Sequence, residues 1–125
     1  MSPSPQTVVV LGASNQPERY SFLALQMLME NGHRVMPVHP SLTEILGVPV
    51  RSSLDKITEP IDTLTLYLGP ERLEKLIPEI LELHPRRVIF NPGTESPTLQ
   101  AALTAAGIPW IEACTLVLLR TGQFS

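Results

Sequence analysis

The sequence predicts an α/β fold in which a five-stranded parallel sheet lies between two layers of helices. Five short β-like runs alternate with segments long enough to form helices, and Gly, Pro, Asn or Asp marks the junctions. The first run, TVVVL, is almost wholly apolar, as expected for a strand that helices cover on both faces. Because parallel neighbours need long crossovers of nearly fixed handedness, the pattern indicates a three-layer, doubly wound sheet of the Rossmann class.

The first half of the chain predicts two strands and one helix. Residues 1–6 form a loose extension, and the first strand is Thr7–Leu11. The first helix begins between residues 17 and 21, since proline suits a first helical turn and serine a cap, and it ends at Gly32. The second strand is Arg34–Val38. Helical spacing assigns to the inner face of the first helix Phe22, Leu25, Leu28 and Met29.

The second half of the chain predicts three further strands. The stretch LGVPVRSSLDKI is irregular with one short helical turn, and the third strand is Asp62–Leu68. Apolar spacing indicates a helix over Pro70–Leu83, which Pro78 kinks because proline lacks the amide that a helix interior needs. The remaining elements are a strand over Arg87–Phe90, a helix over Ser96–Ala106, a strand over residues 108–111 and a short last helix within residues 114–124.

Composition restricts the function classes open to this chain. Its 125 residues, 43% of them hydrophobic, predict one compact domain. A formal charge of −3 argues against a general grip on a nucleic-acid backbone. No apolar run approaches the roughly 20 residues of a membrane span, and MSPSPQ lacks signal-peptide features, so we expect a cytoplasmic protein. The single cysteine, Cys114, excludes an internal disulfide and a cysteine-rich metal site.

The turn GASNQPERYS, after the first strand, is the first candidate site. Ligands of doubly wound sheets bind beyond the carboxyl ends of the strands. Gly12 permits close approach of the backbone, and amides at the positive end of the following helix suit a phosphate or pyrophosphate. Arg19 supports this interpretation, because a cation near a helix N-terminus suggests an anion between them. Two alternatives need no ligand: Glu18 is the surface partner of Arg19, or Gly-Ala-Ser is a plain tight turn with a solvated Arg19.

Two phosphate-binding motifs are absent from the sequence, and their absence restricts the type of phosphate ligand. A site of the NAD type would show G-x-G-x-x-G here and an acidic residue near the end of the second strand, whereas this chain has one glycine and VMPVHP. No G-x-x-x-x-G-K-S/T motif is present, which excludes a P-loop ATPase. His39 has two open interpretations, as a contact to a ribose or phosphate and as a cap of the strand end.

Several blocks of sequence carry a resemblance to a known family. The most specific is VVVLGASNQPERYSFLALQMLMENGHRVMPVHP, and EILGVPVRSSLDKI, IDTLTLYL, RRVIFNPGTES, AAGIPWIEACT and LLRTGQF extend the likeness over almost the whole chain. The chain resembles the small single-domain CoA-binding proteins, which are similar to the N-terminal domain of the succinyl-CoA synthetase α subunit. The resemblance implies a Rossmann-like domain that binds CoA or acyl-CoA. The positions it implies for the pyrophosphate turn and the adenosine end are Gly12, Ala13, Ser14, Pro17, Arg19, Ser21, Pro37, Val38, His39 and Pro40. Asn15, within the same turn, is a further candidate contact.

The chain departs from this family at two places. Ser41 stands where members often carry a lysine available for a phosphate, and Arg51 or Lys56 is a candidate substitute. NPGTES stands where many members carry Gln-x-Gly, so the pantetheine side of the ligand is expected to differ. The 3′-phosphate of CoA needs an extra cation, for which Arg19 is the first candidate.

Other candidate residues follow the third and fourth strands. Pro40 and Leu68 offer apolar walls for the adenine, and Tyr67 is either a core residue or a stacking partner for the base. The residues after the fourth strand suit a turn and a helix cap, and they also offer amides to a ligand; we expect both roles. Glu95 acts as a base only if it is partly desolvated. The candidate ligand contacts in this loop are Asn91, Pro92, Gly93 and Thr94.

Three function classes follow from these observations. We favour a CoA or acyl-CoA binding module, acting as a sensor, carrier or subunit, with no catalytic residue assigned. The alternative is an enzyme that acts on an acyl-CoA or nucleotide through Cys114, Glu95 or His39, where Cys114 lies near the expected CoA thiol or is a small buried hydrophobe. An NAD-dependent oxidoreductase is disfavoured. The expected partner is a small nucleotide ligand, with neither nucleic acid nor membrane, and a homodimer or a partner protein is left open.

Overall fold

The computed structural model describes residues 5–125, and its centre is a five-stranded parallel sheet as the sequence predicts. In space the parallel strands follow the order β2-β1-β5-β6-β7, and β3 pairs with β4 as a separate antiparallel hairpin. The strands in chain order are β1 (Thr7–Leu11), β2 (Arg34–Val38), β3 (Glu44–Ile45), β4 (Val48–Pro49), β5 (Thr63–Leu66), β6 (Arg87–Phe90) and β7 (Trp110–Glu112).

Five helices and one short 3-10 turn cover the two faces of the sheet in the described part of the chain. Helices α1 and α5 pack against each other on one face, whereas α2, α3, α4 and the 3-10 turn at Leu54–Lys56 cover the other. The helices are α1 (Tyr20–Glu30), α2 (Pro70–Glu74), α3 (Ile77–Leu83), α4 (Pro97–Ala105) and α5 (Thr115–Arg120).

Strand β1 shows why its sequence is an unbroken apolar run. Successive side chains of a strand point to opposite faces of the sheet. Val9 therefore packs with the residues under α2, α3 and α4, whereas Val8 and Val10 pack with those under α1 and α5. All three valines are completely buried, so both faces of the strand contribute to the core.

The helix predicted over Pro70–Leu83 is two helices. The chain leaves the helical conformation at Leu76, where φ is −104° and ψ is 4°, and a new helix begins at Ile77. Pro78 lies in the first turn of α3, where an amide has no intrahelical acceptor to lose. The proline therefore begins a helix here, and the predicted kink in the middle of one helix is wrong.

Smaller differences concern the ends of elements and one face. Strand β5 stops at Leu66, two residues before the predicted end, and β7 begins at Trp110 instead of Ile108. Met29, assigned to the inner face of α1, is an exposed residue, and the inner positions are completed by Ala24. Residues 1–4 of the expected loose extension lie outside the described residues, and Gln6 accepts a hydrogen bond from Thr63 Oγ1 at 2.6 Å.

The order of the strands creates a crevice at the carboxyl edge of the sheet. From β1 the chain passes through α1 to β2 on one side, and it later returns to β5 on the other side of β1. The helices that follow β1 and β5 lie on opposite faces, so the connections diverge at this edge. Such a switch point is where open α/β sheets bind ligands. Within residues 5–125, no helix is long and apolar enough to cross a membrane.

The amino edge of the sheet is closed by the end of the chain. Phe124 is buried there, with the Arg87 guanidinium 4.7 Å from the centre of its ring and the His33 ring 5.0 Å from it on another side. The Nδ1 atom of His33 accepts a hydrogen bond of 2.9 Å from the amide of Gln6. This hydrogen bond requires an unprotonated Nδ1. A proton added to Nδ1 would break the bond and would place a second positive charge close to Arg87.

We expect the chain to lose stability as the pH falls below about 6.5. Burial, and in second place the charge of Arg87, lower the pKa of His33 from its usual 6.5. The unfolded chain therefore takes up a proton more readily than the folded one. The stabilising contribution of the neutral ring is present above pH 6.5 and is lost as the pH falls through the lowered pKa. Thermal unfolding at pH values of about 7.5 and 5.5 measures this loss, which should be smaller in His33→Gln; equal losses in both proteins would contradict the assignment.

Candidate functional site

A cavity of about 1070 Å³ opens at the carboxyl edge, where β1, β2 and β5 end. Small-molecule sites usually occupy roughly 300–1,000 Å³, so this cavity has room for a ligand of nucleotide size or larger. Its walls are contributed by the turn after β1, the turn after β2, the 3-10 segment, the end of β5 and one side of α2 and α3. The lining residues are 11–16, 19–21, 38–40, 42, 52–55, 67, 68, 72, 75, 76 and 79.

Gly12 allows β1 and β5 to approach each other closely at the mouth of the cavity. Its φ is +88°, and a Cβ atom built there would lie 2.9 Å from the carbonyl carbon and oxygen of Tyr67 and from Cδ2 of Leu68. The next amide, that of Ala13, donates to the Val38 carbonyl at 3.2 Å and so joins the turn to β2. The glycine is therefore required by the protein's own backbone.

The rest of the turn presents amides that the protein leaves without acceptors. The Gln16 amide donates to Ser14 Oγ and the Arg19 amide to the Gln16 carbonyl, both at 3.0 Å. Helix α1 has neither a side-chain cap nor an acidic residue in its first turn. Among residues 5–125, no acceptor is present for the amides of Ser14, Asn15, Tyr20 and Ser21. Free amides at the positive end of a helix are suited to an anion.

Arg19 lies beside these amides without a carboxylate partner. Its Nε atom donates to Gln16 Oε1 at 3.2 Å, and its side chain lines the cavity. In the part of the chain that the structure describes, the ion pairs are Arg34–Glu59, Arg51–Glu59 and Arg86–Asp62. Glu18 and Arg19 therefore form no ion pair among residues 5–125, and Arg19 is exposed.

His39 is both a cap and a wall of the cavity. Its Nδ1 atom accepts hydrogen bonds of 3.0 Å from the amides of Ser41 and Leu42, which closes the turn after β2. Two amide donors on Nδ1 place the ring proton of the neutral imidazole on Nε2, where it is a hydrogen-bond donor. The two interpretations that the sequence left open are thus compatible, because each uses a different nitrogen.

Tyr67 is a core residue that also borders the cavity. Its ring packs with the apolar cluster under α1 and α5. Burial raises the pKa of Tyr67 to about 12, while hydrogen bonds to Thr115 and Thr65 act in the opposite direction. The phenol therefore stays protonated at neutral pH. It can donate and accept hydrogen bonds, but it cannot act as a base.

The loop after β6 forms a network of buried hydrogen bonds at the edge of the sheet. The amide nitrogen of Asn91 donates to Thr65 Oγ1 at 2.7 Å and to the Leu66 carbonyl at 2.9 Å, while its oxygen accepts from the Thr115 amide at 2.9 Å. All hydrogen-bonding atoms of this buried side chain are used, and Asn91 does not line the cavity.

The other predicted residues near this loop also lie outside the cavity lining. Thr94 hydrogen-bonds through Oγ1 to the Asn91 carbonyl at 2.8 Å, whereas Glu95 is exposed and accepts from the Gly93 amide at 2.9 Å. The condition set for Glu95 as a base, partial desolvation, is not met. Cys114 is half-buried and begins α5. The cavity lining thus excludes Pro17, Asn91, Pro92, Gly93, Thr94 and Cys114.

Sequence reasoning missed the wall formed by α2, α3 and the 3-10 segment. Arg72, Lys75, Leu76 and Glu79 follow helical spacing, so they lie on one side of the α2–α3 unit and line the cavity. Oε2 of Glu79 is buried and has no hydrogen-bond partner among residues 5–125. The spacing was readable in the sequence, but it does not say that this side of the helices faces the ends of β1 and β2.

Comparison with protein families and known proteins identifies relatives of this chain. A family model described as a CoA binding domain matches residues 6–120. The uncharacterized protein YneT of Bacillus subtilis is 35% identical over 75 residues, a match that covers 60% of this chain. The matched segment spans 56% of the length of YneT.

Solved structures share the fold over most of the chain. A crystal structure of an uncharacterized protein is 38% identical with a TM-score of 0.92, covering 98% of this chain and all of that one. A Thermus thermophilus structure is 34% identical with a TM-score of 0.88, covering 96% of this chain and 91% of that one. A dinucleotide-forming acetyl-coenzyme A synthetase from Ca. Korarchaeum cryptofilum, in complex with phosphate and ADP, has a TM-score of 0.74 at 15% identity and covers 86% of this chain and 25% of that one, which shows the fold alone.

Replacement of Gly12 by alanine should be far more damaging than replacement of Gly32. Both glycines have positive φ, but a Cβ at Gly32 would meet nothing within 4 Å. We expect a loss in unfolding free energy of about 1 kcal/mol for Gly32→Ala and roughly 3 kcal/mol for Gly12→Ala, which adds overpacking to backbone strain. Chemical denaturation of both variants measures the difference. Equal losses would show that the approach of Tyr67 to Gly12 is not tight in solution.

Replacement of Asn91 by alanine should destabilise the fold by about 3 kcal/mol, because it leaves buried donors and acceptors around it unpaired. Asn15→Ala, at an exposed position of the first turn, is the matched control and should leave the midpoint of thermal unfolding nearly unchanged. Thermal and denaturant unfolding measure both effects. A well-folded Asn91→Ala protein of normal stability would contradict the structural role of this amide.

Proposed function

This chain belongs to the CoA-binding domain family, and we propose that it binds CoA or acyl-CoA with the pyrophosphate at the turn between β1 and α1. The observation that carries the proposal is the set of amides without acceptors at Ser14, Asn15, Tyr20 and Ser21, beside the unneutralised Arg19. A pyrophosphate offers several anionic oxygens to such donors, and charge-assisted hydrogen bonds are about twice as strong as neutral ones.

The adenosine part is assigned to the space between the turn after β2 and helix α3. Pro40, Leu54, Leu68 and Leu76 line this part of the cavity with apolar surface. Such surface suits the faces of an adenine ring. The Nε2–H group of His39 supplies a donor for a ribose or phosphate oxygen. The binding residues we propose are Gly12, Ala13, Ser14, Asn15, Arg19, Ser21, His39, Pro40 and Leu68.

We assign binding rather than catalysis to this site. His39 is held by two backbone amides at Nδ1, Tyr67 remains protonated at neutral pH, and Glu95 is exposed in a turn outside the cavity. The Cys114 thiol, which the enzyme alternative would use, lies outside the cavity lining. A binding module that reports or carries CoA accounts for the arrangement without a reaction.

Titration calorimetry with CoA tests the proposal, and Arg19→Gln is its most direct variant. Loss of one charge-assisted contact to a phosphate should weaken binding about tenfold or more. Stability should change little, because the Arg19 side chain is exposed and makes a single side-chain hydrogen bond of 3.2 Å. Arg86→Gln is the matched control, since Arg86 precedes β6 at the opposite edge of the sheet and its removal should leave the affinity unchanged.

Two results would overturn the proposal. The first is the absence of heat when ligand-free, folded protein is titrated with CoA and acetyl-CoA at millimolar concentration. The second is equal weakening by Arg19→Gln and Arg86→Gln, which would mean that the affinity depends on net charge alone. A parallel titration with NAD distinguishes the third function class, since tighter binding of NAD than of CoA would replace CoA as the ligand.

A further inference from the structure

The side of the α2–α3 unit that faces the cavity is positive at one end and negative at the other. Arg72 and Lys75 lie in and directly after α2, and Glu79 lies in α3. The chain leaves the helical conformation at Leu76, between the two cations and the carboxylate, and all three side chains line the cavity. A ligand that lies along this wall therefore meets two cations near the end of β5 and a carboxylate farther on.

The two cations are not neutralised within the protein. Throughout residues 5–125, no carboxylate oxygen lies within 4.0 Å of the charged nitrogens of Arg72 or Lys75, and both residues are exposed. Glu71 and Glu79 stand four residues before and after Lys75, at helical spacing, but neither carboxylate forms an ion pair with Lys75 in the part of the chain that the structure describes. The positive charge therefore remains available on the cavity side.

Arg19, the first candidate for this role in the sequence, is assigned to the pyrophosphate, and the other two candidates are Arg51 and Lys56. Arg51 pairs with Glu59 at 3.3 Å and donates through Nη1 to the Lys56 carbonyl at 3.0 Å. Neither Arg51 nor Lys56 lines the cavity, and Ser41, which follows the second proline, carries no charge. Besides Arg19, the lysine and arginine side chains that line the cavity are Arg72 and Lys75.

We propose that Arg72 and Lys75 bind the 3′-phosphate of the CoA adenosine. This inference rests on the proposed function, because it assumes that the pyrophosphate lies at the β1–α1 turn. A phosphate monoester carries a charge of about −1.5 to −2 at neutral pH, which two cations match. The guanidinium of Arg72 can bind two phosphate oxygens at once, and the Lys75 ammonium adds a point charge.

The carboxylate of Glu79 fixes the direction of the ligand along this wall. A phosphate is repelled by a carboxylate, so the 3′-phosphate is held at the end near Arg72 and away from Glu79. Oε2 of Glu79 accepts no hydrogen bond from any of the described residues. The amino group on the edge of the adenine can donate a hydrogen bond to it, so we place the base at that end. Specificity for a 3′-phosphorylated adenosine follows from these two opposite charges.

Calorimetric titration with CoA and dephospho-CoA, which lacks only the 3′-phosphate, tests this assignment. The wild-type protein should prefer CoA by about tenfold or more, given two charge-assisted contacts to the phosphate. In the double variant Arg72→Gln/Lys75→Gln the ratio of the two dissociation constants should fall to within about twofold of one, because both contacts are lost. The double variant Arg86→Gln/Arg120→Gln changes the net charge equally outside the cavity lining and should keep the wild-type ratio. Thermal unfolding shows whether each protein is folded.

The outcomes separate this inference from the proposed function. If the wild-type protein binds neither ligand, the proposed function fails. If it binds both ligands equally well, or if the preference for CoA persists in Arg72→Gln/Lys75→Gln, CoA binding stands and the assignment of the 3′-phosphate is overturned. Arg19→Gln provides an internal check, because loss of a pyrophosphate contact should weaken both ligands by the same factor and leave their ratio unchanged.

Discussion

The close approach of β1 to the end of β5 at Gly12 is the constraint on which the carboxyl edge of this protein depends. The absent side chain lets the Tyr67 carbonyl and the Leu68 side chain lie where a Cβ atom would meet them at 2.9 Å. This contact brings the turn after β1, with its amides, next to the residues that follow β5. Helix α2, which carries Arg72, begins at Pro70, two residues after Leu68.

A buried polar network fixes the other side of this edge. Asn91 joins the end of β5 to the start of α5 through Leu66 and Thr115, and Thr65 bonds to both Asn91 and Thr115. The side-chain nitrogen and oxygen of Asn91 are both hydrogen-bonded within the protein, so the network is rigid. The Asn91 side-chain amide is therefore not available to bind a ligand. Rigid support of this kind keeps Tyr67 and the mouth of the cavity in place. The loop after β6 thus acts on the site through the frame that it stabilises.

The distribution of charge is more informative than the net charge. The chain carries −3 in total, yet Arg19, Arg72 and Lys75 face the cavity without a carboxylate in contact in the described part of the chain. The arginines that do pair with carboxylates lie elsewhere, in ion pairs with Glu59 and Asp62. Unneutralised cations in a concave site attract anionic ligands and repel one another when the site is empty. Phosphate groups relieve that repulsion, which is a physical reason for the specificity we propose.

The sequence by itself determined the parallel sheet, the buried strand β1 and the turn that follows it, because apolar runs, glycine and helix-start signals act over a few neighbouring residues. The middle strand of the sheet is β5 and not β1, because strand order depends on how distant segments pair. The sequence also identified His39 as a residue at the carboxyl edge, and it carried the resemblance to the family. Tertiary structure alone decided which side chains share the cavity: Asn91 and Cys114 follow β6 and β7 as predicted, but neither lines the cavity. Conversely, Arg72 and Lys75 gave no local signal, since their role depends on which side of α2 turns toward β1. Such facing is set by the packing of whole elements, which no short stretch of sequence encodes.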